Sequence, residues 1–538
     1  MNLLIQLLVI NYPGCQVTDE WKVNPGFKEH FMKAKRSFLN LLVGLGSQII
    51  TIVLGIFIPR LILVHFGSEV NGLLTSITQI IVYFTLLEAG VGAASLQALY
   101  KPVANGEKNT INEILAATSS YYKKTGIFYF FAVIALAIIY PLVINSSINK
   151  VTIMVVILFT GLGGAVNYYY QGKYRILLTA EGKSYIVTSI TTIITIVSNL
   201  AKIVLLYLGY DIIIVQASFF IITLVQVIVY HLYISRNYKW IDLSVNPNFG
   251  SISQKNSVLV HQFSSLIFNN TDVLILTIFT NLKVVSVYVM FNMLFSIIDN
   301  LVTTVSGSIT FVLGQTFHDS KEKFLKLFDA YEVYFMALVF SLFTVTYILV
   351  LPFMRLYTAG IHDINYIDKW LPILFVSIKL LVYARSSCNN VINIAGHFKK
   401  TQYRSIFESA INLIGSLLFV NLFGIYGVLL GTLLAVLYRS TDIVIYANKT
   451  ILGRSPWRTA KRWLFNAILF LIIIFITHSI TINPKSYLTV FVYAVILTII
   501  LSFIYFFTNS LLERETYLYS KNFVSTFLHK RKYKLQNQ

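Results

Sequence analysis

Ten ionisable side chains stand inside or at the edges of long apolar stretches of this 538-residue chain. Five are basic (Arg60, Lys202, Lys379, Arg385 and Arg439) and five acidic (Glu88, Asp272, Asp299, Glu408 and Asp442). A charge near the centre of a membrane helix costs about 3 kcal/mol on insertion scales, so such residues face a bundle interior or a wet cavity. Cations there suit an anionic ligand, above all phosphate, because charge-assisted bonds strengthen in a low dielectric. Carboxylates there suit a coupling proton or sodium ion. Each residue also has a plainer reading. Arg439 and Asp442, three apart, can neutralise each other. Arg60, near a helix end, can snorkel to the surface. Glu408, near the end of its stretch, fits an interfacial role.

The densest polar pattern runs from Val70 to Tyr100. Asn71, Thr75, Thr78, Thr85, Glu88 and Ser95 recur at spacings of three, four or seven, which places them on one face of a helix. Comparable stripes carry Thr192, Thr195, Asn199 and Lys202; Gln262, Ser265, Asn269 and Asp272; Ser296, Asp299 and Thr303; Lys379, Tyr383 and Asn390; and Thr432, Arg439 and Asp442. Single hydroxyls and amides in such stripes also serve as interhelical bonds. Stripes in both halves of the chain predict a central hydrated cavity, cationic where Lys202, Lys379 and Arg385 enter it.

Other chemistries lack their residues. No GxxxxGK[ST] loop is present to cradle a nucleotide, and no HExxH spacing to hold a metal. Cys15 and Cys388 make no disulfide framework. Gly161, Gly163 and Gly164 fit close helix packing better than a phosphate cradle. His261 and His478 read as packed or interfacial. The longest loop expected outside the membrane, about 353–369, is too short for a catalytic domain. The reading is therefore not an enzyme: no catalytic residue, no metal and no cofactor, with H+ or Na+ as the possible coupling ion.

The elements that position these residues are membrane helices. The chain is 56% hydrophobic and 12% charged, and crossing a bilayer takes about 20 apolar residues. Apolar spans at about 38–64, 70–98, 125–145, 151–170, 186–208, 212–234, 257–280, 284–315, 332–352, 369–394, 405–422, 425–447, 463–482 and 487–510 predict an all-α polytopic protein of about 14 transmembrane helices. With the N-terminus inside, 32 Lys and Arg fall on inner segments and 5 on outer ones. That bias puts both termini in the cytoplasm and accounts for the net charge of +20 without nucleic acid. The first ten residues are apolar but lack a basic flank and a cleavage site, so they are not read as a signal peptide. An offset of roughly 215 residues superposes LTAEGKSYIVTSI on INIAGHFKKTQYR and brings Glu88 near Asp299. Two parallel six-helix repeats follow. The expected organisation is an N-terminal arm at 1–36, an N-lobe at 37–250, a C-lobe at 251–449, two further helices at 450–510 and a basic tail at 511–538.

LLEAGVGAASLQALYKPVANGEKNTI, LLTAEGKSY and NNTDVLILTIFTNLKVVSVYVMFNM, the last with Asp272 in its TD pair, resemble segments of bacterial oligosaccharide flippases of the polysaccharide transport family. The resemblance extends over roughly 37–449. It implies two lobes around a V-shaped cavity and a ligand that is an undecaprenyl-diphosphate-linked oligosaccharide. That ligand would be moved from the inner to the outer leaflet of the cell membrane, for capsule, exopolysaccharide or a related polymer. Expected partners are the lipid-linked oligosaccharide, membrane lipids, a polysaccharide polymerase and glycosyltransferases. Lipid II flippases of the wider superfamily carry arginines on their second and eighth helices, where this chain has Glu88 and Asp299. A multidrug or cation antiporter, or a lipid II flippase, is the alternative on the same scaffold.

Overall fold

A computed structural model describes residues 25–88, 90–252, 266–267, 270–477, 482–522 and 525. It is all-helical among those residues. Helix α1 (Pro25–Phe84) carries the first two spans in succession and is divided at Gly67, whose φ of +80° places it in the left-handed region that glycine adopts without a Cβ clash. Its start at Pro25 reaches back into the expected N-terminal arm; residues 1–24 lie outside the described residues. A 3-10 turn (Thr85–Leu87) and α2 (Val91–Asn105) follow. Next come α3 (Lys108–Val143), α4 (Lys150–Tyr170), α5 (Gly172–Ala180), α6 (Ser184–Tyr207) and α7 (Ile212–Asn237).

The second half holds α8 (Asn270–Phe279), α9 (Leu282–Asp319), α10 (Lys321–Tyr357), α11 (Trp370–Ala384), α12 (Ser386–Ile394), α13 (Phe398–Phe423) and α14 (Ile425–Tyr446). Helices α15 (Trp457–Thr477) and α16 (Tyr487–Leu512) close the chain. Twelve helices among the described residues are long and apolar enough to cross a membrane. The expected fourteen is not reached in this count, because α1 counts once and the seventh span is described only as the short α8. Gln262, Ser265, Asn269, His261 and His478 lie outside the described residues.

The expected second span is not one continuous helix. It breaks between Thr85 and Gly90, and Gly90 starts α2 in the left-handed region at φ +85°. The break is why the stripe from Asn71 to Ser95 does not share one face. Asn71 bonds Ser286 in the other half of the chain at 2.8 Å, whereas Ser95 accepts from Thr118 in its own half at 2.9 Å. Many remaining hydroxyls satisfy themselves locally. Thr75, Thr78, Thr191 and Thr195 each donate to the carbonyl four residues earlier, the cheapest partner in an apolar surround. Gly161 and Gly163 leave room for Val133 and Thr223, consistent with close packing.

Helices α1–α7 and α8–α14 make two lobes, and α15 and α16 pack on α10 of the second. This cover shows in the burial. The apolar window of α10 is 67% buried, against 33% for α3, its counterpart in the first lobe. Among the described residues the cross-lobe hydrogen bonds gather around the Gly67 break and the half of α1 that follows it. Ser68 donates to Asp363 through its backbone N–H (2.9 Å) and its hydroxyl (2.6 Å), and Tyr366 donates to Ser68. Arg60 donates to the Ala359 carbonyl at 2.7 Å, Tyr357 to the Ile56 carbonyl, and Thr277 to Ser76. Gly72 meets the Leu282 backbone so closely that a Cβ would stand 1.8 Å from its carbonyl oxygen. The deepest of these bonds joins Tyr83 and Thr271 at 3.0 Å. The seal thus lies at the membrane end opposite the Lys- and Arg-rich loops.

Candidate functional site

Glu88 sits at the break between the 3-10 turn and α2, where the chain leaves its helical path and exposes a carboxylate to the lobe interior. Tyr122 of α3 donates a short hydrogen bond to it, and the Tyr168 hydroxyl of α4 also lies against it. The two tyrosine rings stack at 6.1 Å and 16°. A cavity of about 500 Å³ opens beside them, lined by Glu88, Tyr122, Tyr129, Asn167, Tyr168, Arg175 and Thr179 among others. Glycines keep it open. A Cβ at Gly92 would stand 2.4 Å from the Glu88 carboxylate, and one at Gly164 would stand 2.4 Å from the Tyr129 hydroxyl. Arg175, on the short helix α5, lies exposed at its edge.

The second lobe repeats part of this arrangement and closes it. Asp299 of α9 accepts from Tyr383 of α11 at 3.0 Å, as Glu88 faces Tyr168. At the repeat offset of 215 residues Tyr168 falls on Tyr383, and Gly164 falls on Lys379. Lys379 bonds Asp299 at 2.5 Å. At that position one lobe has a glycine against which the Tyr129 ring packs, and the other an ammonium group. Stacked Phe291, Phe295, Phe343 and Phe375 fill the surroundings.

Toward the basic end of the second lobe, five charges alternate. Arg385 pairs with Glu408 at 2.6 Å, and Arg439 reaches Glu408 at 3.5 Å and Asp442 at 2.8 Å. Arg404 pairs with Asp442 at 2.5 Å and lies 4.7 Å from the centre of the Tyr446 ring. The pairing of Arg439 with Asp442 was legible in their spacing; the chain of five was not. Among the described residues three guanidinium groups face two carboxylates in this chain. Arg404 is the most exposed member, with 36% of its side chain accessible.

The expected trio of Lys202, Lys379 and Arg385 does not come together as one cradle. Lys202 lies over the Phe219 ring of α7 at 4.6 Å. It is about 27 Å of helix from the basic end of α6, whereas Arg385 is about 14 Å from the basic end of α12, taking about 1.5 Å per residue. One diphosphate cannot serve both depths. Sequence spacing fixes the face of a single helix but says nothing about depth relative to another. Asp272 also departs from the expected cavity position. It is buried in the second lobe, accepting from Tyr288 at 2.9 Å and from Thr432 at 3.0 Å. Arg60 belongs to the lobe seal.

A second ionic network escaped the sequence reading altogether. Arg462 pairs with Asp329 (2.7 Å), Glu332 (2.5 Å) and Glu513 (3.0 Å), and Arg454 pairs with Asp329 and Glu332. Arg458 also reaches Asp329 at 3.1 Å. Glu332 is 0% exposed and Arg462 1%. These arginines counted only as loop charges, and the run DAYE offers no spacing that announces burial. The three bases balance three acids. The network ties α15 and the end of α16 to α10.

No protein-family profile and no curated protein sequence matches the chain. Solved structures do. The chain is similar to the lipid II flippase MurJ in an inward closed conformation, with TM-score 0.65 and 15% identity over 88% of this chain and 99% of that one. It is also similar to an inward-facing multidrug resistance MATE family transporter of the MOP superfamily, with TM-score 0.59 and 14% identity over 75% of this chain and 94% of that one. At these identities the likeness shows the fold, which is that of these two-lobed membrane proteins.

Proposed function

We propose that the chain is a flippase that moves an undecaprenyl-diphosphate-linked oligosaccharide from the inner to the outer leaflet of a bacterial cell membrane by alternating access. The oligosaccharide is a repeat unit for capsule, exopolysaccharide or a related surface polymer. The observation that carries this reading is the position of the lobe seal. Among the described residues the lobes bond to each other at the end opposite the basic loops, and the arginine-rich ionic chain lies toward the basic end. With that end in the cytoplasm, as its charge favours, the inner leaflet faces the cationic side of the molecule.

Arg404, Arg385 and Arg439 bind the diphosphate, whose oxygens compete with Glu408 and Asp442 for the guanidinium groups. Arginine suits this exchange because its planar fork bonds carboxylate and phosphate alike. Lys379 stands deeper and receives the headgroup as the lobes rock. In this reading Glu88 and Asp299 carry the coupling proton or sodium ion. Glycosyltransferases supply the lipid-linked substrate, and a polymerase takes it on the far side.

The test uses the purified chain in proteoliposomes that carry a lipid-linked oligosaccharide with a fluorescent sugar end. Protection of the label from a membrane-impermeant quencher should change with time, and the double change Arg385→Gln with Arg404→Gln should slow that change at least tenfold. Absence of movement, together with ion-driven uptake of a cationic dye, would assign the chain to the antiporters. Movement of lipid II alone would make it a lipid II flippase.

A further inference from the structure

We infer that the cavity beside Glu88 is a carbohydrate subsite, which holds one end of the oligosaccharide within the N-lobe and not between the lobes. This inference rests on the flippase reading and narrows it. Three features of the cavity bear on the ligand. Its volume of about 500 Å³ falls in the range of about 300–1,000 Å³ typical of small-molecule sites. That leaves room for a short piece of an oligosaccharide but not for an isoprenoid tail. Its walls combine tyrosine rings with groups that bond hydroxyls: Glu88 as acceptor, Arg175 as donor, Asn167 through its amide, and Thr179, whose hydroxyl already donates to the Arg175 carbonyl, as acceptor. A pyranose needs this mixture, because its C–H face is apolar and its rim is a ring of hydroxyls. Asn167 already accepts from Gln171 through its carbonyl, which turns its NH2 to the ligand as a donor.

The third feature is the contrast with the second lobe. Gly164 admits the Tyr129 ring against its backbone, whereas at the matching position of the second lobe Lys379 neutralises Asp299. Among the described residues no base pairs with Glu88 within 4 Å, so its carboxylate is held by neutral hydroxyls that a sugar hydroxyl can join or replace. An aromatic box with a carboxylate also suits an organic cation. Arg175 decides against that occupant, since its guanidinium lies within electrostatic reach of Glu88 and would repel a second cation.

The experiment is saturation-transfer NMR on the full chain in nanodiscs. The probes are methyl glucoside, methyl N-acetylglucosaminide and maltose, with tetraphenylphosphonium as the cationic competitor. Transfer to the ring protons of at least one sugar is expected. It should fall at least fivefold in Tyr168→Ala, fall less in Tyr168→Phe, and persist within about threefold in Glu88→Gln, which keeps an acceptor and removes the charge. No transfer to any of the three sugars overturns the inference. So does displacement of the sugar by tetraphenylphosphonium whose own binding vanishes in Glu88→Gln. The outcome separates from that of the flippase reading. Unimpaired movement of lipid-linked oligosaccharide by Tyr168→Ala would sink the subsite and leave the flippase standing, whereas sugar binding without movement would do the reverse.

Discussion

The two lobes hold comparable pairs in different settings. Each sets a tyrosine hydroxyl against a carboxylate: Tyr168 of α4 against Glu88 at the break before α2, and Tyr383 of α11 against Asp299 of α9. In the first lobe the matched position is a glycine in contact with the Tyr129 ring, and a cavity opens beside the pair. In the second a lysine stands there and cancels the charge. The second lobe is also buttressed from outside by α15 and α16, whose ionic network reaches the fully buried Glu332. The difference teaches that a single residue at the matched position separates a carboxylate with no base within 4 Å among the described residues from one that is neutralised.

Breaking the buttress should have the largest effect. Arg462→Ala leaves Asp329 and Glu332 buried with fewer partners. Loss of one member of a buried pair costs about 3–5 kcal/mol. The melting temperature of the purified protein should fall steeply, while the same change made to the exposed Lys326 should leave it in place. Should Arg462→Ala melt normally, the second lobe would not owe its solidity to α15 and α16.

Hollowing the second lobe comes next. Lys379→Met leaves Asp299 with Tyr383 alone, and a lost bond between charged groups is worth about 1.5–3 kcal/mol. Adding Asp299→Asn should recover much of that loss in the same melting experiment, because no uncompensated charge then remains. Filling the first lobe is the converse change. Gly164→Ala forces the Tyr129 hydroxyl away from a Cβ 2.4 Å distant, at an overpacking cost of about 1–3 kcal/mol. It should also reduce movement of lipid-linked oligosaccharide. Unaltered transport would show that the cavity is incidental.

The joint between the lobes is the subject of a fourth test. Asp363→Ala removes the acceptor of both Ser68 bonds. It should raise the rate at which a cysteine replacing Ser286 is labelled from the sealed side. An unchanged rate would place the seal elsewhere, at Gly72 and Leu282. The smallest effect belongs to Arg404→Ala. That side chain is 36% exposed, and ion pairs of such groups contribute about 0–1 kcal/mol. Stability should hardly move, while the salt dependence of headgroup binding should weaken.

Much of this was written in the sequence. Long apolar runs can satisfy their backbone inside a bilayer only as helices. The all-helical fold and most of the spans therefore followed from composition and period alone. So did the proximity of Arg439 to Asp442. Tertiary structure decided the rest, because helical periodicity fixes a direction around one axis and carries no information about which neighbour lies there or at what depth. That is why Lys202 and Arg385 read as companions and lie at different levels. It is also why Asp272 read as a cavity acid and is enclosed by Tyr288 and Thr432. The Asp329–Glu332–Arg462 network was silent for the same reason: its members are far apart in the chain and meet only when α15 packs on α10. The break at Thr85–Gly90 depended on Gly92 accepting the Glu88 carboxylate against its missing Cβ. It is a contact between neighbours that spacing alone does not express.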